Sequence, residues 1–136
     1  MGDSFETEKV LQSLIFNDQG LIPAIAQQYD TKEVLMMAWM NKEALEETIS
    51  NSRVCYWSRS RKSLWRKGES SGQIQILKEL RMDCDGDTLL LLVDQTGPAC
   101  HTGRRNCFFL AVDQSENTHT KITDDPIIDP NDLYRK

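Results

Sequence analysis

Two stretches hold the groups best suited to chemistry, Asp83-Cys84-Asp85-Gly86-Asp87 and Cys100-His101-Thr102-Gly103-Arg104-Arg105-Asn106-Cys107. Asp83, Asp85 and Asp87, clustered, suit a hard divalent cation, and Mg²⁺ in such a site keeps waters and bridges to substrate phosphate. Cys84, Cys100 and Cys107 suit Zn²⁺: three thiolates with water in the fourth position form an open tetrahedral site of the kind that activates water as a nucleophile. His101, one of only two histidines, stands beside Cys100, and histidine, with an unperturbed pKa of about 6.5, is the side chain suited to moving a proton there. Each group also has a plainer reading. The aspartates would make a solvated acidic turn, His101 would be a loop histidine, and Cys55 would close the thiol set into a structural site. The apolar setting Val54-Cys55-Tyr56-Trp57 favours core packing for Cys55 instead.

An extended backbone through the triplet puts Asp83, Asp85 and Asp87 on one face and Cys84 on the other. The cysteines are separated by fifteen and six residues, unlike the close pairs of zinc fingers. A calcium loop of the EF-hand type is excluded, because Gly86 is fourth rather than sixth from Asp83 and the apolar run Leu89 to Leu92 would fall inside it.

Residues 53–67 carry Arg53, Arg59, Arg61, Lys62, Arg66 and Lys67 and no acid, in a chain of net charge −5. Anionic ligands would be met here, with Tyr56, Trp57 and Trp65 offering ring faces and Ser70-Ser71-Gly72 offering hydroxyl and N–H donors. The same pattern would serve single-stranded nucleic acid, so a zinc-stabilised binding module without catalysis is the alternative function. The aspartates beside the thiols would repel a polyanion and count against it.

These groups must be positioned by a small fold. At 136 residues the chain is one domain's length. Its acidity argues against a whole-surface footprint for nucleic acid or anionic membrane. No run reaches the roughly 20 apolar residues of a membrane helix and the first residues are acidic rather than leader-like, so a cytoplasmic protein with reduced thiols is expected.

Val10, Leu11 and Leu14 share one face of a short helix, Asn17–Gly20 is a turn, and Leu21–Gln28 with Val34–Trp39 reads as a strand pair. Asn41 is placed to cap a helix over Lys42–Ser50. Strands follow at Val54–Trp57 and Gln73–Met82, where Leu77 breaks the alternation and suggests a bulge or a twist. Leu89–Val93 and Phe108–Val112 look like strands buried on both sides. The tail from Asp113 is polar and acidic and suggests an irregular arm or partial disorder. The expected class is α+β, a strand-rich single domain (1–112) with one or two short helices and an arm (113–136).

The motifs Tyr56 to Gly68, Asp83 to Asp87 and Cys100 to Phe108, with Val34 to Asn41 before them, closely resemble the phosphoribosyl-AMP cyclohydrolases of histidine biosynthesis. The resemblance runs from about Val34 to Phe109. It implies hydrolytic opening of the adenine ring between N1 and C6, giving the formimino aminoimidazole carboxamide ribonucleotide. It further implies Zn²⁺ on Cys84, Cys100 and Cys107, Mg²⁺ on Asp83, Asp85 and Asp87, and an intertwined homodimer in which Cys84 of one chain joins the later pair of the other. Fused relatives carry a phosphoribosyl-ATP pyrophosphatase domain downstream, and from the 136 residues here only the cyclohydrolase step is expected.

On this reading His101 takes a proton from the attacking water and returns it to N1. Arg59, Arg61, Lys62, Trp65, Lys67, Arg104 and Arg105 are the candidate substrate-binding residues. A deaminase releasing ammonia is a second enzymatic reading, but the His-x-Glu and CxxC pairing of zinc deaminases is missing.

Overall fold

The structure, a computed structural model, describes residues 4–115 and 117–133. Its centre is a six-stranded mixed sheet in the order β4-β3-β2-β1-β6-β5, built from β1 (Ile22–Gln28), β2 (Val34–Met40), β3 (Cys55–Ser58), β4 (Ser63–Arg66), β5 (Gln75–Met82) and β6 (Leu89–Gln95). Strand β1 pairs antiparallel with β2 and parallel with β6, so it is bonded on both edges, and its residues alternate between buried and half-buried. Leu89, Leu91 and Val93 are fully buried and Leu92 nearly so, as the unbroken apolar run required. The bulge expected at Leu77 is present as a register shift between Leu77 and Glu79 against β6.

Helix α1 (Ser4–Gln12) brings Leu11 and the following Leu14 into the core. Helix α2 (Lys42–Asn51) starts where Asn41 Oδ1 accepts from the Ala44 N–H at 2.8 Å. It stops at Ser52, whose φ of 55° turns the chain out of the helix. It buries Ala44, Leu45 and Thr48. The Thr48 hydroxyl bridges the Ala44 carbonyl and both backbone groups of Cys55, locking helix to strand at the start of the basic stretch.

Two expectations change after Cys107. The strand there is β7 (Leu110–Asp113), and it is not buried: Leu110 and Val112 are 60% and 62% exposed. The reason is its partner. It pairs with β8 (His119–Ile122) in a separate two-stranded ribbon whose Leu110, Val112 and Ile122 stay exposed among the described residues. The tail is correspondingly less irregular than its composition suggests. The strand β7 runs across the expected break after Val112, β8 pairs with it, and residues 123–128 lie along the Cys100–Cys107 loop before the one-turn helix α3 (Pro130–Leu133), where Leu133 is buried. The described residues thus hold three helices rather than one or two, in a strand-rich α+β domain.

Candidate active site

The aspartates converge, but not by the expected route. Beyond β5 the chain turns instead of staying extended: the Gly86 N–H reaches the Asp83 carbonyl at 3.1 Å, and Gly86 has φ of 71°. That turn brings one oxygen from each of Asp83, Asp85 and Asp87 to within 4.8 Å of one another, all at the exposed surface. The Asp83 carboxyl sits below its ordinary pKa. Desolvation works to raise it, but the N–H groups of Asp87, Thr88 and Gly86 outweigh that. Asp87 is raised, first by its contact with Asp83, then by desolvation and the charges of Asp83 and Asp85. Three oxygens whose mutual repulsion raises one of them fit a hard cation. The N-terminal segment braces this turn, with the Ile15 N–H donating to the Gly86 carbonyl at 2.7 Å.

The loop 98–107 follows β6. Cys107 lies close enough to Cys100 to feel its charge, and desolvation first, then that charge, push the Cys107 thiol up to about 12. The Thr102 hydroxyl donates to Cys100 Sγ at 3.1 Å, a partner the sequence reading passed over. Cys84 stays exposed on the aspartate turn and joins neither of them: among the described residues the three aspartates are the only cluster of three or more potential metal ligands. Cys55 is fully buried in the core, with desolvation first among the causes that push its thiol up to about 12, so it is a packing residue.

Arg61, Trp65, Lys67 and His101 line one groove of about 420 Å³ together with Ser70 and Ser71. Across the wall formed by Arg61 and Trp65 lies a second groove of about 640 Å³, where Arg59 faces Trp39 and Trp57; the Arg59 guanidinium stands 4.9 Å from the Trp39 ring centre. Lys62 lies at the exposed β3–β4 turn with φ of 53°. Lys67 is buried, its ammonium donating to the Ala99 carbonyl at 2.6 Å; burial lowers its pKa, against the opposing charges of Cys107 and Cys100. It is therefore a cation held beside the thiols as much as a groove wall. Arg66 forms a two-pronged pair with Glu47 at 2.7 and 2.8 Å, tying β4 to α2.

The two later arginines are engaged within the fold, which removes much of their expected freedom to meet phosphate. Arg104 donates to the Asp124 carbonyl at 2.7 Å and lies 4.1 Å from the Phe109 ring centre. Arg105 reaches into the sheet, donating to the carbonyls of Gln95 and Gly97 at 3.0 and 2.7 Å, to Gln28 Oε1 at 2.8 Å and to Glu33 at 3.3 Å. Behind it a buried relay runs from Gln95 Oε1 to Gln75 Nε2 at 2.9 Å, while Gln75 Oε1 accepts from the Tyr56 hydroxyl at 2.7 Å. Gln28, Gln75 and Gln95 escaped the sequence reading; their signal was polar residues at inward positions of otherwise apolar strands. Arg105→Ala would remove the guanidinium from the Gln95 and Gly97 carbonyls, from Glu33 and from Gln28 Oε1, which keeps the Gln95 N–H, and is expected to cost about 2–4 kcal/mol of stability, read from denaturant unfolding.

The sequence pattern of the phosphoribosyl-AMP cyclohydrolases matches residues 36–109. The chain is similar to a phosphoribosyl-AMP cyclohydrolase of Hydrogenovibrio crunogenus, 65% identical over 99% of this chain and 90% of that one. It is likewise similar to those of Alcanivorax borkumensis, 62% identical over 99% and 93%, and of Halorhodospira halophila, 60% identical over 98% and 92%. The loop and turn that carry the thiols and carboxylates lie inside the matched span, and on that agreement of sequence, length and site chemistry the chain belongs to the phosphoribosyl-AMP cyclohydrolase family.

Proposed function

We propose that this chain hydrolyses phosphoribosyl-AMP, opening the adenine ring between N1 and C6. The observation that carries the reading is the meeting of His101, Arg61, Lys67 and Trp65 on one groove, with Lys67 held against the loop of the paired thiols Cys100 and Cys107. The groove's cations meet substrate phosphate, and the Trp65 ring forms an apolar wall beside them. His101, exposed at the groove, takes the proton of the attacking water and returns it to N1 as the bond to C6 breaks.

The donor set fits zinc incompletely within one chain. Cys100 and Cys107 supply two neighbouring sulfurs, and the third, Cys84, comes from a second copy. Such a copy would also cover the bare face of the ribbon, where Phe108, Leu110, Val112 and Ile122 are each more than half exposed and Leu110 pairs with Ile122. Zinc in that site supplies the Lewis acidity that lowers the pKa of water. Asp83, Asp85 and Asp87 hold Mg²⁺ and order the phosphate end of the substrate. Among the described residues no helix is long and apolar enough to cross a membrane. As a member of a histidine-biosynthesis family, the enzyme is proposed to work in the cytoplasm.

Spectrophotometry tests the function. With Zn²⁺ and Mg²⁺ supplied, phosphoribosyl-AMP should lose its purine absorbance without release of ammonia. An unchanged spectrum refutes ring opening, and ammonia would point to deamination. In the same assay Asp85→Asn should raise the Mg²⁺ concentration for half-maximal rate by about tenfold or more while zinc content stays at the wild-type level.

A further inference from the structure

We infer that residues 123–128 form a positioning strap for the loop that carries Cys100, His101 and Cys107, an inference that rests on the proposed metal site. The strap lies outside the span matched by the family pattern. It is joined to the loop along its length mostly through backbone groups, with the Arg104 and Thr123 side chains adding one bond each. The Thr123 N–H donates to the Phe109 carbonyl at 2.8 Å, Arg104 Nε donates to the Asp124 carbonyl at 2.7 Å, and the N–H groups of Ile127 and Ile128 both donate to the Gly103 carbonyl, at 2.8 and 3.3 Å.

Gly103 shows how closely the two segments approach. Its φ is 85°, and a Cβ there would collide with the Ile128 carbonyl oxygen. No residue but glycine meets both demands. Gly103 itself closes a turn on Cys100, its N–H donating to the Cys100 carbonyl at 3.0 Å, with His101 and Thr102 inside that turn. On the opposite side the loop is held by Arg105 and by the Cys107 N–H, which donates to the Leu35 carbonyl at 2.8 Å. The sheet therefore fixes the ends of the loop near Arg105 and Cys107. Lys67 holds the Ala99 carbonyl just before the turn, and among the described residues the strap supplies the hydrogen bonds to the Gly103 carbonyl, at the part of the loop that carries His101 between Cys100 and Gly103.

Partners that orient metal ligands typically alter metal affinity by about 10–100-fold when removed. Ile127 allows the strap to be tested with little else disturbed, because its side chain is 58% exposed and its contribution to the loop is one N–H. Ile127→Pro deletes that donor, whereas Ile127→Ala keeps it. In the full-length, metal-free protein, hydrogen exchange at the amides of residues 99–107 should quicken about tenfold or more in Ile127→Pro and stay unchanged in Ile127→Ala, with the amides of β1 and β6 unaffected in both. Competition with a chromophoric chelator should then show Zn²⁺ bound about tenfold or more weakly by Ile127→Pro alone.

Gly103→Ala should act in the same direction. Unchanged loop exchange in Ile127→Pro overturns the strap, and faster exchange with unchanged zinc affinity overturns its role toward the metal ligands. A wild-type protein that takes up no zinc defeats the metal reading, and with it the strap's role toward metal, while the exchange data still decide whether the strap orders the loop.

Discussion

Cys84→Ala is expected to lose stoichiometric zinc, to lower turnover by about a thousandfold or more, and to shift the assembly toward single chains at low concentration. Cys84 stands exposed on the aspartate turn, apart from the adjacent thiols of Cys100 and Cys107 on their own loop. An ion that used all three would have to be completed by a neighbouring copy, so that removing one sulfur opens both the metal site and part of the interface. Metal analysis after gel filtration, with sedimentation at micromolar concentration, reads both effects. Retained zinc would refute Cys84 as a ligand. The pH dependence has a definite sign. With the Cys107 thiol pushed up to about 12 by desolvation first and by Cys100 second, the metal-free chain carries it protonated at neutral pH. Zinc must displace that proton, so apparent affinity should rise from pH 6.5 to pH 8 and protons should be released on uptake.

Local patterns in the sequence were enough for the strand pair, the Asn41 cap, the twice-buried β6 and the bulge at Leu77, because each depends on neighbouring residues alone. The aspartate triplet shows the limit of periodicity. A period of two put the carboxylates on one face of a strand, and they do converge, but through a turn at Gly86. Alternating aspartates around a glycine satisfy either geometry, and only the Gly86 N–H meeting the Asp83 carbonyl distinguishes them.

Phe108–Val112 misled for a related reason. An unbroken apolar run announces that a surface will be covered without saying whether the cover belongs to the same chain. Arg104 and Arg105 looked like free cations because their partners, Asp124, Gln28, Glu33 and Gln95, are distant in sequence or are backbone carbonyls that no motif displays. The groove formed by Arg61, Trp65, Lys67 and His101 was legible as a set of residues but not as a shape, since β4 and the loop after β6 meet only in the folded sheet.

His101→Ala should lower kcat by about 10²–10⁴-fold, the usual range for removal of a positioned acid or base, while zinc content stays at the wild-type level. His101 is exposed and its ring has no hydrogen-bond partner among the described residues, so its removal should change stability by no more than about 0.5 kcal/mol. KM should move little, because the charges facing the phosphates belong to Arg61 and its neighbours rather than to the imidazole. The zinc measurement separates this variant from Cys84→Ala, in which activity and metal fall together. It also separates His101→Ala from a strap defect, in which the loop amides exchange faster. Partial recovery of rate on adding free imidazole would show that what was lost is a proton carrier at the groove. Normal turnover in His101→Ala would remove that role altogether and leave the proton to solvent or to another group on the same wall.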